Sequence, residues 1–459
     1  MRTVLLSGGS GKRLWPLSND LRSKQFLPLL RNAEGNAESM VQRVWNQLKK
    51  AGMSENSYIA TSRSQLEVLQ SQLGQDAAVI VEPERRDTFP AIALASTYLY
   101  SIVGVPLDEV ITIMPVDPFV EDSFFHTVQS LEAAMLNANA ELGLIGVVPD
   151  HPSESFGYIV PVTDHDQETE VFKLVKGFRE KPKLEEAQAL LEQGALWNCG
   201  VFAFRLDLMI NLLIEMNLPI QYEEMIKQYS KLPKNSFDYE VVEKLKHLIV
   251  TPYNGTWRDL GSWSMLAGEM QQPVIGKGVV TEDCVNTHLI NELDIPITVI
   301  GLSETIVAAS PDGILVSSKS ASSKIKDLNG DSAQRPMFEE RRWGSYKVID
   351  YVKYEYGYEV LTKRIRISIG KNLSYQYHQH RNEIWTITSG VGELILDGVY
   401  KTLRVGDVVE VPAGRRHSVR AITDLEFIEV QNGSQLNEED IVRLSLEWQD
   451  ILLYVEQTG

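Results

Sequence analysis

The chain has 459 residues, of which 43% are hydrophobic and 23% are charged, a composition typical of a globular protein with two or three domains. Its formal net charge of -18 argues against a general nucleic-acid-binding role, because such proteins present a basic surface to phosphates. The two cysteines, Cys199 and Cys284, provide no disulfide framework and no CxxC metal pair, so a reducing, cytoplasmic location is expected.

The first half of the chain alternates short apolar runs with helical patterns. Strands alternating with helices of this length predict crossover connections and a Rossmann-like, mostly parallel sheet. The carboxyl ends of parallel strands collect ligand-binding groups, and both the glycine-rich turn after Leu6 and the acidic residue Asp117 lie at such ends. The predicted strands are 3–6, 57–61, 77–83 and 109–117, and the predicted helices are 39–50, 64–73 and 90–103.

The pattern changes twice further along the chain. Residues 274–330 are short β-like pieces separated by Gly, Pro, Asp and Asn, and the polar stretch SSKSASSK at 317–324 is predicted to be a turn or short loop. From residue 358 the many short strands predict a β-barrel or sandwich, followed by a helix at 438–448. We therefore expect an α/β domain over 1–265, a β-rich connector over 266–335 and a β-barrel over 336–459.

No stretch approaches the 18 or so apolar residues that a membrane-spanning helix needs, and the apolar run at the start is too short for a signal peptide. The sequence therefore predicts a protein without membrane association.

The stretch GGSGKR at 8–13 predicts an anion-binding turn. It fails as a Walker A loop, because Leu6 stands where the first glycine is needed and Arg13 where Ser or Thr is needed. It also fails as a dinucleotide fingerprint, whose third glycine would be at Leu14. Glycines still let backbone N–H groups approach an anion closely, with an ordinary strand-to-helix turn as the alternative. The candidate anion-binding residues are Gly8, Gly9, Gly11, Arg13 and Lys24.

Several segments occur in the order found in sugar nucleotidyltransferases. They are GGSGKRLWPLS with KQFLPL (8–29), EPERRDTFPAIALA (82–95), MPVDPFV (114–120), FREKP (178–182), WNCGVFAF (197–204) and WRDLGSW (257–263). Over residues 1–265 the chain resembles the mannose-1-phosphate guanylyltransferase branch of that family. Two departures bear on sugar specificity: Pro118 replaces a histidine, and Ser23 replaces a proline.

The resemblance implies that a sugar 1-phosphate attacks the α-phosphorus of GTP and releases pyrophosphate, a transfer that needs positioning and charge neutralisation. Two carboxylates suit Mg²⁺, so Asp117 and Asp259 are the implied ligands. Each taken alone has a structural alternative as a turn acid, and Lys181 has one as an exposed loop lysine. The implied catalytic residues are Arg13, Lys24, Asp117, Lys181 and Asp259; Gly8, Gly9 and Gly11 would bind GTP, and Gly157, Glu180, Lys181 and Asn198 the sugar phosphate.

A second cluster lies near the C-terminus. Strand alternation would place His378 and His380 on one face, with Glu383 three residues later and His417 in a separate strand. Such a mixed nitrogen and oxygen set suits Zn²⁺, Fe²⁺ or Mn²⁺. The predicted ligands of a divalent metal, Zn²⁺ or similar, are therefore His378, His380, Glu383 and His417.

The segments QYHQHRNEIW (376–385) and GDVVEVPAGRRH (406–417) resemble the cupin of phosphomannose isomerases, with Asn372 at the usual glycine position. The resemblance implies interconversion of fructose 6-phosphate and mannose 6-phosphate through an enediol. It offers Arg381 as a phosphate or oxyanion partner and identifies no base. A metal-free barrel with inward histidines is the alternative for the whole cluster, and an exposed strand-end arginine is the alternative for Arg381.

Together the two resemblances imply a member of the bifunctional type II phosphomannose isomerase family, with GTP and sugar phosphates as its ligands. A guanylyltransferase with a structural or regulatory cupin, a transferase for another hexose 1-phosphate, and a non-catalytic sugar-nucleotide-binding protein remain alternatives. The connector resembles a short β-helix that supports subunit pairing, so a homodimer is expected.

Overall fold

The computed structural model describes residues 1–9, 12–74, 77–162, 171–328, 335–437 and 440–456. Gly11, one of the expected GTP-binding residues, lies outside these ranges.

The N-terminal part is an α/β unit built around one large sheet. Its helices are α1 Met40–Lys50, α2 Leu66–Leu73, α3 Thr88–Tyr98, α4 Ser123–Asn137, α5 Leu184–Glu192, α6 Leu206–Glu215, α7 Tyr222–Gln228, α8 Phe237–Glu240 and α9 Trp263–Glu269. Its strands are β1 Arg2–Leu6, β2 Leu30–Arg31, β3 Ala37–Glu38, β4 Ser57–Ser62, β5 Ala78–Glu82, β6 Val110–Pro115, β7 Pro118–Val120, β8 Leu142–Val147, β9 Gly157–Pro161, β10 Lys173–Glu180, β11 Leu196–Arg205, β12 Leu248–Tyr253 and β13 Trp257–Asp259.

Within the described ranges the large sheet has the strand order β5-β4-β1-β6-β11-β8-β12-β10-β9. Strands β5, β4, β1 and β6 are parallel, which confirms the crossover units predicted for the segments between residues 3 and 117. Strand β11 then runs antiparallel to both β6 and β8. Apolar clusters cover both faces of this sheet, and α3 is buried on nearly all sides because its sequence is apolar all round.

The connector follows as a stack of short strands: β14 Val274–Gly276, β15 Gly278–Val280, β16 His288–Asn291, β17 Ile297–Val299, β18 Thr305–Ser310 and β19 Gly313–Ser318. Strands β14, β16 and β18 pair in parallel, as do β15 and β17, which is the pairing expected of a β-helix. The predicted loop at 317–324 is instead the end of β19 and a 3₁₀ helix at Lys319–Lys324, because the Ser318 side chain accepts from the Ala321 N–H and caps that turn. The short helix α10, Ile325–Leu328, follows.

The C-terminal part is a barrel of two antiparallel sheets, ordered β20-β21-β22-β29-β24-β27 and β26-β25-β28-β23-β30. Its helix is α11 Trp448–Glu456, and its strands are β20 Phe338–Arg341, β21 Gly344–Lys353, β22 Glu359–Ile367, β23 Tyr375–His378, β24 Arg381–Ser389, β25 Gly392–Leu396, β26 Val399–Leu403, β27 Val408–Val411, β28 His417–Ala421, β29 Leu425–Gly433 and β30 Ile441–Ser445. Apolar residues from both sheets fill the space between them, which confirms the predicted barrel.

The helix predicted at 438–448 is wrong, and two of its residues, 438 and 439, lie outside the described ranges. Residues Ile441–Ser445 form β30, which pairs antiparallel with β23, and the helix begins only at Trp448. An edge of the sheet offers hydrogen-bond partners that the local sequence does not reveal. Across the described residues, no helix combines the length and the apolar character needed to cross a membrane.

Arg22 joins all three parts of the chain. Its guanidinium donates from Nη1 to both carboxylate oxygens of Glu292 in the connector, at 3.0 and 2.9 Å. Its Nη2 lies 3.5 Å from Glu340 Oε1 in β20, and the guanidinium stacks 5.0 Å above the Phe338 ring. Burial opposes the charge on Arg22, but Glu292 and Glu340 outweigh it and raise the pKa of the guanidinium.

We expect Arg22→Gln to destabilise the protein by about 3 kcal/mol, because it leaves Glu292 and Glu340 without their shared cation. A calorimetric scan would show the lowest unfolding transition about 5 °C lower. Lys50→Gln is the matched control, since Lys50 pairs with Asp122 in solvent and such pairs contribute less than about 1 kcal/mol. Equal shifts in the two variants would contradict the role given to Arg22.

Candidate active sites

A cleft of about 760 Å³ opens at the carboxyl ends of β1 and β6. This is the edge of the sheet where the sequence predicted a ligand site. The expected residues that line it together are Gly8, Gly9, Arg13, Lys24, Asp117, Gly157, Glu180, Lys181, Asn198 and Asp259.

Two carboxylates converge on one ammonium in this cleft. Asp117 follows β6, and Asp259 ends β13, which pairs antiparallel with β7 so that Asp259 lies opposite Pro118. Lys24 Nζ lies 2.7 Å from Asp117 Oδ2 and 3.3 Å from Asp259 Oδ1. Burial opposes the charge on Lys24, but both carboxylates favour it and raise its pKa. Two hard oxygen donors aimed at one point fit Mg²⁺, and this convergence favours the metal-ligand interpretation over that of two unrelated turn acids.

The side chains of Asp259 and Arg13 both lie close to Gly261. A Cβ atom at Gly261 would lie 2.9 Å from Asp259 Oδ2 and 3.2 Å from Arg13 Nη1, so a larger residue would push both side chains away. The Arg13 side chain is exposed and lines the cleft, so its charge is available to bind an anion. The sequence analysis did not single out this glycine of WRDLGSW, whose small size the close approach requires.

The Ser23 departure also has a local explanation. The Ser23 hydroxyl, which is buried, donates to the Gly9 carbonyl at 2.9 Å and holds the glycine-rich turn from below. Gln65, just before α2, donates from its side-chain amide to the Ser7 carbonyl at 2.8 Å and contacts the Ser23 hydroxyl. A proline at position 23 could not make the side-chain contact, so the turn is held here by polar groups.

The far end of the cleft carries the expected sugar-phosphate residues. Lys181 adopts a left-handed backbone (φ 44°) and its Nζ contacts Glu180 Oε1. Asn198 donates to Asp238 Oδ1 at 2.9 Å, and the chain passes close enough at Gly157 that a Cβ there would lie 2.5 Å from Glu180 Oε2. Burial and the neighbouring Glu180 raise the pKa of Asp238 to about 7. Asp238 lies in the short helix α8, outside the motifs that resemble the family, so sequence reasoning missed it.

Glu82 is the second acid that sequence reasoning missed. It ends β5, is 3% exposed, and lines the cleft beside Gly8, where a Cβ would lie 2.7 Å from Glu82 Oε1. Its other oxygen accepts from the Tyr229 hydroxyl at 2.8 Å. Burial raises the pKa of Glu82 to about 7, even though Tyr229 and Arg85 lower it.

The second candidate site lies inside the barrel. His378, Glu383 and His417 are buried, and one ligand atom of each lies within 4.8 Å of the others. His378 Nε2 is 3.1 Å from Glu383 Oε1, and His417 Nε2 is 3.7 Å from Glu383 Oε2. His417 Nδ1 lies 3.0 Å from the Arg415 carbonyl, so that nitrogen carries the proton and the buried Nε2, which has no hydrogen-bond partner within the described ranges, is left to act as a ligand. These donors fit a divalent transition metal.

His380 is a correction to the predicted ligand set. Strand β23 ends at His378, so the alternation on which the prediction depended stops before His380, which is exposed and outside the cluster. The residue on the inward face with His378 is Gln376, which is buried and paired with His417 across the strands. The pattern is therefore displaced by two residues, and Gly370, two positions before Asn372, has the left-handed backbone that favours glycine (φ 76°).

Arg381 is buried and positions the cluster. It donates from Nε to Glu383 Oε1 at 3.0 Å and from Nη1 to the Asn437 carbonyl at 3.0 Å. Burial opposes the charge of Glu383, but His378 and Arg381 outweigh it and hold the pKa of Glu383 well below its usual range. Burial lowers the pKa of His417 to about 4, so this imidazole is neutral at pH 7, as a metal ligand must be.

Comparison with known proteins matches the N-terminal and C-terminal parts of the chain to two different families. Residues 2–272 match the family described as nucleotidyl transferase, and residues 330–446 match the one described as mannose-6-phosphate isomerase C-terminal. The chain belongs to the nucleotidyl transferase family.

Two relatives are similar to this chain over nearly its whole length. The xanthan biosynthesis protein XanB of Xanthomonas campestris pv. campestris (strain B100) is 32% identical over 96% of this chain and 97% of its own length. The mannose-1-phosphate guanylyltransferase of Escherichia coli (strain K12) is 30% identical over 96% and 97%. A structure described as mannose-1-phosphate geranyltransferase from Thermus thermophilus matches with a TM-score of 0.59 and 28% identity, over 71% of this chain and 97% of that one.

We expect Gly261→Ala to lower kcat/KM of nucleotidyl transfer about 100-fold, because its methyl group displaces Asp259 and Arg13 from their positions. Pyrophosphate release measures the effect. Gly268→Ala in α9 is the matched control, since its Cβ would meet no heavy atom within 4 Å. Equal activity of the two variants would contradict the close approach at Gly261.

The raised pKa of Glu82 predicts a pH-dependent stability. The folded protein holds the Glu82 proton up to about pH 7 and the unfolded chain releases it near pH 4.5, so stability falls as pH rises through this window. The shift corresponds to about 3 kcal/mol. We expect Glu82→Gln to flatten the pH dependence of the thermal midpoint between pH 4.5 and 7 relative to the wild type. A variant that keeps the full slope would show that other groups cause it.

Proposed function

We propose that the protein transfers GMP from GTP to mannose 1-phosphate, giving GDP-mannose and pyrophosphate, and that its barrel interconverts fructose 6-phosphate and mannose 6-phosphate. The observation that carries the first activity is the convergence of Asp117, Asp259 and Lys24 in a cleft that also holds Arg13 and Lys181. The relatives named above support the choice of sugar and nucleotide.

The roles in nucleotidyl transfer follow from charge. Mg²⁺ held by Asp117 and Asp259 would neutralise the phosphate oxygens. Arg13 and Lys24 would hold the triphosphate against the glycine-rich turn, and Lys181 would hold the sugar phosphate. No general base is needed, because a sugar 1-phosphate oxygen is already anionic at neutral pH and only has to be brought in line with the α-phosphorus.

Glu82 supports guanine as the base. With a pKa of about 7, Glu82 is ionised above neutral pH, and the carboxylate beside the glycine-rich turn can then accept hydrogen bonds from the N1–H and N2–H groups of guanine, whereas adenine presents a lone pair at N1. A site built around such hydrogen bonds rejects the analogue that lacks them, because its buried polar group is left unpaired. Glu180, Asn198 and Asp238 would contact the sugar hydroxyls at the other end of the cleft.

The barrel supports the isomerase through its buried cluster of His378, Glu383 and His417. A divalent metal held there would polarise the sugar carbonyl. Arg381 fixes the Glu383 carboxylate, and neutral His417 offers its Nε2. The identity of the metal, the boundaries 1–265, 266–335 and 336–459, the homodimer and the cytoplasmic location stay predictions from the sequence.

Reciprocal variants test the two activities on one chain. With GTP, mannose 1-phosphate and Mg²⁺, we expect Asp117→Asn and Asp259→Asn to abolish pyrophosphate release and to leave turnover of fructose 6-phosphate intact. We expect Glu383→Gln to abolish the isomerase and to leave pyrophosphate release intact, because it removes a donor only from the barrel site. Full transfer in both aspartate variants would exclude the metal assignment. If the wild-type protein with added divalent metal does not isomerise fructose 6-phosphate, the barrel has a structural or regulatory role instead.

A further inference from the structure

The Lys24 ammonium is bound by the same two carboxylates that would hold a divalent cation in the cleft. Its Nζ lies 2.7 Å from Asp117 Oδ2 and 3.3 Å from Asp259 Oδ1. Because Mg²⁺ binds oxygen at about 2.1 Å, an ion on Asp117 Oδ2 would lie within about 5 Å of this ammonium. Like charges at such a distance repel each other. Metal binding is therefore disfavoured while the Lys24 ammonium keeps its place.

The backbone of Lys24 is held on both later units and on the glycine-rich turn, so only the side chain is free to change position. The preceding residue, Ser23, donates from its hydroxyl to the Gly9 carbonyl at 2.9 Å. One residue earlier, Arg22 is bound to Glu292 of the connector and to Glu340 of the barrel. A lysine side chain has a flexible four-carbon stem, which lets the ammonium swing while the backbone stays in place.

A triphosphate is the partner that would let the ammonium leave the aspartates. The Lys24 side chain is 15% exposed, so an ammonium displaced by a metal ion alone would lose both carboxylates while still largely buried. Gly8 and Gly9 of the glycine-rich turn line the same cleft. Phosphate oxygens bound beside them would accept charge-assisted hydrogen bonds from the ammonium in place of the carboxylates. With nucleotide and metal together, the ammonium and both carboxylates keep partners of opposite charge.

We propose that Lys24 keeps Asp117 and Asp259 from binding a divalent cation until a nucleoside triphosphate is bound, and that the ammonium then passes to the phosphate oxygens. The inference rests on the proposed nucleotidyl transfer, which supplies the nucleotide and the metal. It gives Lys24 two successive sets of partners, and it makes metal binding at the aspartates depend on the nucleotide.

The test measures metal binding without turnover, from the enhancement of water-proton relaxation by Mn²⁺ bound to the protein. The full-length chain carries Glu383→Gln, which removes a donor of the barrel site, so that Mn²⁺ in the barrel does not obscure the cleft. The nucleotide is a GTP analogue with a methylene bridge between the α- and β-phosphorus atoms, which cannot release pyrophosphate. Titrations are run with and without this analogue.

Without the analogue, we expect Lys24→Met to bind Mn²⁺ at least about tenfold more tightly than the parent chain, the factor expected if the ammonium fills the site in about nine molecules of ten. With the analogue, we expect the parent chain to bind Mn²⁺ as well. Lys234→Met is the matched control, because it removes the same charge from an exposed lysine that lines the same cleft. Adding Asp117→Asn to Lys24→Met should remove the gain, which places the ion at the aspartates.

The outcomes separate this proposal from the proposed function. Equal Mn²⁺ affinity of the parent chain and Lys24→Met without the analogue overturns the role of Lys24, even where pyrophosphate release from GTP shows that transfer occurs. An equal gain in Lys234→Met also overturns it, since the total charge of the cleft would then be the cause. A gain that persists with Asp117→Asn places the ion elsewhere and overturns both the role of Lys24 and the metal assignment. A gain that depends on Asp117, in a chain that does not turn over GTP and mannose 1-phosphate, supports the role of Lys24 and refutes the proposed transfer.

Discussion

The contact of the Lys24 ammonium with the carboxylates of Asp117 and Asp259 is the constraint on which the arrangement of the cleft depends. Asp117 and Asp259 reach the cleft from strands far apart in sequence, and two carboxylates at that distance repel each other unless a cation lies between them. Lys24 supplies that cation at 2.7 and 3.3 Å. The strand edge, the small Gly261 and the pairing of β7 with β13 all serve to hold these three charges within a few ångströms.

The position of Lys24 depends in turn on the rest of the chain. Two residues earlier, Arg22 is bound to the connector through Glu292 and to the barrel through Glu340. Asn19 donates to Asp312 of the connector, and the backbone N–H of Met337 donates to the other oxygen of Asp312. The segment 19–24 therefore joins the N-terminal unit to both later units, and the position of Lys24 between Asp117 and Asp259 depends on contacts that lie outside the α/β sheet.

Helix α2 makes a second link of this kind. Gln65, immediately before it, donates to the Ser7 carbonyl at the start of the glycine-rich turn, while Glu67, two residues later, lies 3.6 Å from Arg341 of β20 in the barrel. At the far end of the helix Gln72 donates to Glu340 and to the Phe26 carbonyl. Helix α2 and the residue before it therefore contact both the glycine-rich turn and strand β20 of the barrel, so the two units are joined by specific side-chain contacts as well as by the chain.

The sequence was most informative where a residue type and its neighbours define the chemistry. Asp117, Lys181 and Asp259 were predicted because each lies in a local motif, and the strands and helices of the first 117 residues because their apolar periods are clear. The sequence was misleading where pairing between distant strands sets the bounds of an element. His380 was predicted to point inward, but β23 ends at His378, and the segment 441–445 became a strand because β23 offered it an edge. Glu82 and Gly261 lie within motifs that resemble the family and Asp238 outside them, but the contacts of all three are with residues distant in sequence, which the motifs do not reveal.

The charge arrangement in the barrel favours a metal site over a structural cluster. Burying a carboxylate with two imidazoles and a guanidinium lowers the stability of the fold, because each charge loses its hydration. The interactions among these groups offset that loss only if every donor and acceptor is satisfied. Here the His417 Nε2 and the His378 Nδ1 have no hydrogen-bond partner within the described ranges. Burial and the charge of Glu383 also raise the pKa of Glu429 to about 8. A cluster kept only for stability would be replaced by apolar packing at little cost, whereas neutral His417 and ionised Glu383 are the forms in which these residues bind a cation.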